Sequence, residues 1–127
     1  MFEIMTVCTG NICRSPLAQQ ILHARLAGLP GRITSGGTYD MGGAEMPADA
    51  QRLAAMYGVD AAISSAHRSA LISPDRLAAP DLILAMAREH RREVVSLTPS
   101  RLRSTFTVRE FARLAADTSD EEIVSAA

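Results

Sequence analysis

The chain has 127 residues, 47% of them apolar and 21% charged, with a formal net charge of -1. That length fits one domain able to bury roughly two-thirds of its unfolded surface. The near-neutral charge excludes any bulk attraction to nucleic acid or to an anionic membrane, and because every basic residue is an arginine, only their placement can argue for a site.

The opening "MFEIMTV" carries Glu3 and lacks the basic start and long apolar core of a signal peptide. No run approaches the ~20 apolar residues of a membrane span. Cys8 and Cys13 make a poor disulfide framework and are expected to be thiols in a reducing compartment. The reading is therefore one cytoplasmic domain over 1–127, with no linker, repeat or low-complexity segment.

In chain order, residues 2–8 form an apolar run with the β-formers Ile4, Thr6 and Val7. "SPLAQQILHARLAGLPG" reads as a helix, with Pro16 in its first turn, Leu17, Ile21, Leu22 and Leu26 on one apolar face, and Gly28 to Gly31 at its end. "RITSGGTYDMGGAEMP" starts as a second strand and opens into a glycine-rich loop; "PADAQRLAAMYGVD" is a helix stopped at Gly58. "DLILAM" is apolar on consecutive positions, as a buried parallel strand should be, and "AREHRREVVSL" continues as helix. "STFTV" and "REFARLAA" complete the series as strand and helix. Alternating strands and helices predict an α/β fold: a parallel sheet with helices on both faces, binding its ligand beyond the carboxyl ends of the strands.

The stretch "CTGNICRS" lies at that edge. A tight loop wrapping into a helix N-terminus turns successive N–H groups toward one point and makes an anion site suited to a tetrahedral oxyanion. Gly10 permits backbone angles closed to other residues, and Asn11 is among the few side chains that tolerate a left-handed conformation. Arg14 supplies a planar fork of donors for two phosphoryl oxygens. Cys8, at the strand end, is expected to face the same nest as a thiolate helped by Ser15, and a thiolate beside a phosphate cradle suggests phosphoryl transfer to sulfur. A cysteine six places before an arginine is weak support alone, since buried free cysteines are usually inert. The preceding strand, the following helix and the intervening Gly, Asn and Ser give the spacing its meaning.

"VCTGNICRSPLA" resembles the signature of the low-molecular-weight protein tyrosine phosphatases. The similarity continues through "TSGGTYDMGGAEMPADAQRLAAMYGVD", "AHRSAL", "APDLILAMAREHRREVV" and "TFTVREF", to about residue 115. The resemblance implies a three-layer, flavodoxin-like arrangement with a four-stranded parallel sheet. It also implies hydrolysis of phosphotyrosine without metal or cofactor, through a phosphocysteine. It makes Cys8 the nucleophile and Arg14 the ligand that binds phosphate and stabilises the transition state. Thr9, Gly10, Asn11, Ile12, Cys13 and Ser15 complete the substrate loop, and Ser15 donates to the sulfur when it departs. Asn11 matches the residue that holds the loop, with Ser35 and His67 as its partners; by itself, His67 would read as an ordinary partly buried histidine. Relatives acting on phosphoarginine carry threonine where this chain has Ile12, which favours phosphotyrosine. The implied partner is a tyrosine-phosphorylated protein, a bacterial tyrosine kinase among the candidates. No nucleic acid or membrane is implied, and a monomer is expected.

Two residues keep two readings. Cys13 is either a small apolar filler or, by resemblance, the thiol that traps oxidised Cys8 as a disulfide. Tyr39 is either an exposed loop side chain or the edge of the pocket, stacking on a substrate ring.

The sequence departs from the family at its proton donor, an aspartate in an Asp-Pro-aromatic motif after the last strand, which this chain lacks. "SDEE" reads instead as a helix start, with Ser119 capping, Glu122 in the capping-box position, and Asp117, Asp120 and Glu121 around them in structural roles. "EEIVSAA" stops within a helical pattern, so a C-terminal segment carrying the acid is expected beyond Ala127. Smaller departures are Gly36, where relatives often have alanine, and Ala70. A binding module that keeps the nest without efficient catalysis is the rival reading. A thiol-coupled arsenate reductase is disfavoured because no cysteine follows Cys13, and zinc because Cys8 and Cys13 lack paired spacing.

Overall fold

The computed structural model describes residues 2–122. Four strands, β1 (Phe2–Cys8), β2 (Gly31–Gly37), β3 (Leu82–Ala85) and β4 (Thr105–Thr107), form one parallel sheet in the order β2-β1-β3-β4. In β1, Met5, Thr6, Val7 and Cys8 are all buried, the consecutive pattern of a strand covered on both faces. Register sets Cys8 beside Gly37 and Val7 beside Ala85.

Helix α1 (Arg14–Arg25) joins β1 to β2. Three helices, α2 (Ala48–Met56), α3 (Ala61–Ala66) and α4 (Pro74–Ala78), precede β3; α5 (Arg88–Leu97) and a 3-10 turn at Pro99–Ser104 lead to β4, and α6 (Val108–Ala116) follows it. The chain moves outward from β1 to β2, then back past β1 to β3 and on to β4. Right-handed crossovers in opposite directions place α1 and α5 on opposite faces. The direction reverses at β1, so the crevice beyond the carboxyl ends of β1 and β3 is the natural ligand site of this topology. Cys8 ends β1 there.

The core beneath is a cluster of Met5, Val7, Ile72, Leu77, Ile83 and Val94, from β1, the segment before β3, β3 and α5. Helix α1 differs from its sequence reading. Its buried residues are Ser15, Pro16 and Gln20, while Leu17, Ile21 and Leu22 are half-buried and Leu26 is 36% exposed. The helix is anchored by its first turn, because buried Thr6 Oγ1 donates to the Ser15 carbonyl (2.7 Å) and draws that turn against β1. Helices α3 and α4 and the 3-10 turn have no counterpart in the sequence reading. No helix among the described residues is long and apolar enough to cross a membrane.

Candidate active site

The loop from Cys8 to α1 is organised by Asn11. Asn11 has a φ of 54°, the left-handed region, and is 1% exposed. Its backbone N–H donates to Cys8 Sγ (3.3 Å). Its side-chain amide donates to Ser15 Oγ (2.8 Å) and Ser35 Oγ (2.9 Å), and its Oδ1 accepts from the Ala70 N–H (3.0 Å). His67 Nε2 bonds the Asn11 carbonyl (2.7 Å), which can only accept, so that ring nitrogen carries the proton. One asparagine thus ties together the loop, β2 and the segment after α3.

Cys8 is buried at 3% exposure, with Sγ 3.0 Å from Ser15 Oγ. Since Ser15 Oγ already accepts from Asn11, its own hydrogen is available to the sulfur; the other acceptor within reach, the Gly36 carbonyl, is farther at 3.5 Å. The sulfur therefore lies between a backbone N–H and a hydroxyl at the start of a helix. Arg14 is the first residue of α1 and is exposed. Cys13, the N-cap residue, is exposed too, and both cysteines are free thiols. Ile12 is half-buried.

The end of β2 braces this loop. The Thr38 N–H donates to the Cys8 carbonyl (2.9 Å) and the Tyr39 N–H to the Thr9 carbonyl (3.0 Å), which places Tyr39 beside the loop with its side chain 65% exposed. So close is the approach that a Cβ at Gly37 would lie 2.7 Å from the Thr9 carbonyl oxygen and 3.0 Å from Asn11 Cβ. A Cβ at Gly36 would meet Ile72 Cγ2 at 2.7 Å and Arg76 Nη1 at 3.0 Å, so this chain's departure to glycine there makes room for Arg76. Arg76 in turn donates to the carbonyls of Ser35 (2.7 Å) and Leu71 (2.9 Å); burial lowers its pKa, yet a guanidinium remains charged. Ser35 Oγ donates a hydrogen bond to Gln19 Oε1 (2.6 Å) on α1.

The matching family model is the low molecular weight phosphotyrosine protein phosphatase, over residues 3–123. The chain belongs to that family. It is 32% identical over 111 residues to a protein-arginine-phosphatase of Geobacillus stearothermophilus, covering 87% of this chain and 71% of that protein. It is 36% identical over 99 residues to the low molecular weight protein-tyrosine-phosphatase Etp of Escherichia coli K12, covering 76% and 62%. Among solved structures it is similar to the low molecular weight protein tyrosine phosphatase from T. tengcongensis, with a TM-score of 0.79 and 35% identity over 87% of this chain and 76% of that one. Low molecular weight protein-tyrosine-phosphatases are hydrolases of phosphoric monoesters, and this chain shares their three-layer α/β architecture.

One residue beside this loop is not apparent from the sequence. His90, on α5, is 1% exposed, and its Nε2 lies 2.8 Å from Thr9 Oγ1. Its Nδ1 is buried with no partner among the described residues. An unpaired acceptor is tolerated better than an unpaired N–H, so the proton belongs on Nε2, donated to Thr9. Burial, then the charge of Arg14, lowers the pKa of His90 against a weaker opposing effect of Glu89, and the ring is held neutral. A histidine inside "AREHRREVV" looks like one more polar group on a solvated helix. The signal that could have found it is its place two residues into a helix that starts beside the carboxyl end of β1. Among the described residues, no three His, Cys, Asp or Glu side chains gather as a metal site requires.

Proposed function

We propose that the protein hydrolyses phosphotyrosine in proteins, with Cys8 as nucleophile. The observation that carries this reading is the position of Cys8 Sγ, 3.0 Å from Ser15 Oγ and 3.3 Å from the Asn11 N–H, at the carboxyl end of β1 with Arg14 opening the next helix. In the first step the sulfur attacks phosphorus; an S–P bond forms, the P–O bond to the ring breaks, and the phenolate leaves with a proton. In the second, water bonds to phosphorus and gives a proton to the group that protonated the phenolate; the S–P bond breaks, phosphate departs, and the electron pair returns to sulfur, where the Ser15 hydroxyl stabilises it. Arg14 and the loop N–H groups hold the equatorial oxygens in both steps. Ile12, in place of the threonine of phosphoarginine-directed relatives, supports an aryl substrate, to be checked by comparing phosphotyrosyl with phosphoarginyl peptides.

A phenol with a pKa of about 10 needs a proton donor. The family match runs to residue 123 and so spans Asp117 and Asp120, both exposed, beyond the stretch in which the resemblance was first visible. Either aspartate is a candidate for the donor. The Glu122 N–H does bond Ser119 Oγ (3.1 Å), which leaves the Asp120 carboxyl without the capping duty. Replacing both aspartates by asparagine should slow phosphotyrosine turnover by about a hundredfold or more while sparing aryl phosphates with acidic leaving groups; an equal effect on both would place the donor elsewhere.

The direct test is Cys8→Ser with para-nitrophenyl phosphate. Turnover should fall by about three orders of magnitude or more with vanadate binding retained. Undiminished turnover would rule out the assigned nucleophile, and vanadate binding by the unaltered protein without phenol release would favour the binding module.

A further inference from the structure

Beyond the phosphate loop, an open groove of about 1040 Å³ lies between α5 and α6. Its walls carry Arg88, Arg91 and Arg92 on one side and Arg109 and Arg113 on the other, with Glu110 as its one acidic residue. On α5 Arg91 and Arg92 lie three and four residues after Arg88, each on the side of the helix that Arg88 occupies, and on α6 Arg109 and Arg113 are four apart. Five of the 13 basic residues of a chain of net charge -1 therefore line one concavity. None is in an ion pair among the described residues, where the pairs are Arg52 with Asp49 and Arg68 with Glu45. Arg91 is held in place by donating to the carbonyls of Thr105 (2.8 Å) and Leu102 (3.3 Å).

The groove begins at the carboxyl ends of β3 and β4, the sheet edge at which Cys8 ends β1. Met86 and Ala87 are among its lining residues, and the Met86 N–H bonds the Val7 carbonyl (2.8 Å), one residue before Cys8. We propose that this groove binds an acidic segment of the phosphoprotein substrate adjoining the phosphorylated residue, a reading that rests on the phosphatase assignment. A polypeptide whose phosphotyrosine enters the loop must leave the crevice along the surface, and the α5–α6 groove offers it a path walled by unpaired guanidinium groups. Single exposed charges are weakly attractive in salt, but clustered charges in a concave site raise the local concentration of an oppositely charged partner. The groove carries no aromatic side chain on which nucleobases could stack, which favours a carboxylate-rich polypeptide over a single-stranded nucleic acid.

The test compares two phosphotyrosyl peptides, one flanked by aspartate and glutamate and the other by asparagine and glutamine, with para-nitrophenyl phosphate as the small-substrate control. At low salt the unaltered enzyme should prefer the acidic peptide by about tenfold in kcat/KM, mainly through KM, and lose the preference as salt rises. Arg92→Glu with Arg113→Glu should abolish the preference and leave turnover of para-nitrophenyl phosphate unchanged. Equal kcat/KM for the two peptides, or a preference that survives the double substitution, would overturn the proposal. Should para-nitrophenyl phosphate not be turned over at all, the catalytic reading fails on its own. The groove is then judged by fluorescence anisotropy with the unphosphorylated acidic peptide, whose binding must be salt-sensitive and lost in the double variant. Tighter binding of a single-stranded oligonucleotide than of that peptide would assign the groove to the wrong class of partner.

Discussion

Asn11 concentrates more of the site than any other single residue. Its side chain serves Ser15, Ser35 and the Ala70 N–H, so truncation leaves several buried polar groups unpaired at once. Asn11→Ala is expected to cost about 2–4 kcal/mol in urea unfolding, and to lower kcat more than it raises KM, because the loop loses its shape rather than its charge. Arg14 makes the opposite contrast, exposed and free of structural duty among the described residues. Arg14→Lys should leave the urea midpoint nearly unchanged and reduce kcat by about a hundredfold, since an ammonium cannot replace a two-pronged donor. His90 adds a pH dependence. Its folded pKa is depressed, so the unfolded chain takes up the proton first as pH falls. The stability tied to the neutral ring is fully present above about pH 6.5 and is lost as pH falls through the lower folded value. His90→Leu should flatten that part of the pH–stability curve; parallel curves would show that the ring is not held neutral. The left-handed backbone of Asn11 could be read from the sequence because it is a local property, whereas its partners Ser35 and His67 were legible only through the family resemblance. His90 could not, because its partner Thr9 is 81 positions away and only the packing of α5 against the loop brings them together.

At the scale of elements, β2 and the phosphate loop fit so closely that the missing side chain of Gly37 is part of the design. Gly37→Ala would press a methyl against the Thr9 carbonyl oxygen and Asn11 Cβ. Neither can swing away like the end of a long side chain, so destabilisation of about 1–3 kcal/mol is expected, together with loss of activity as the loop shifts. An active variant of undiminished stability would mean that β2 does not set the loop's position. Strands and long helices were legible because hydrophobic runs and glycine stops encode them, and β1 matches its sequence reading residue for residue. The short helices were not. Helix α3 rests on Asp60, whose carboxylate accepts from the Ala62 N–H (2.9 Å), and α4 on Ser73, which accepts from the Arg76 N–H (3.2 Å). Each is under two turns, too short for a hydrophobic period, and only capping residues, with Pro74 after Ser73, announce it. The face of α1 was misjudged for a related reason. Periodicity marks which side is apolar, but the Thr6 bond to the helix start decides which turn is buried.

For the molecule as a whole, chain reversal at β1 leaves a crevice at the carboxyl edge of the sheet, and the sequence fills it with a strand-ending cysteine and a helix-opening arginine. The central claim is that Cys8 carries the phosphoryl group between two steps. A substrate with a good leaving group, such as para-nitrophenyl phosphate, makes the first step fast and lets the intermediate accumulate. Acid quench during turnover, followed by peptide mass measurement, should find one added phosphoryl group on the peptide containing Cys8 and none in Cys8→Ala. Steady hydrolysis with no phosphoryl group on Cys8, or with one on another residue, would contradict the account.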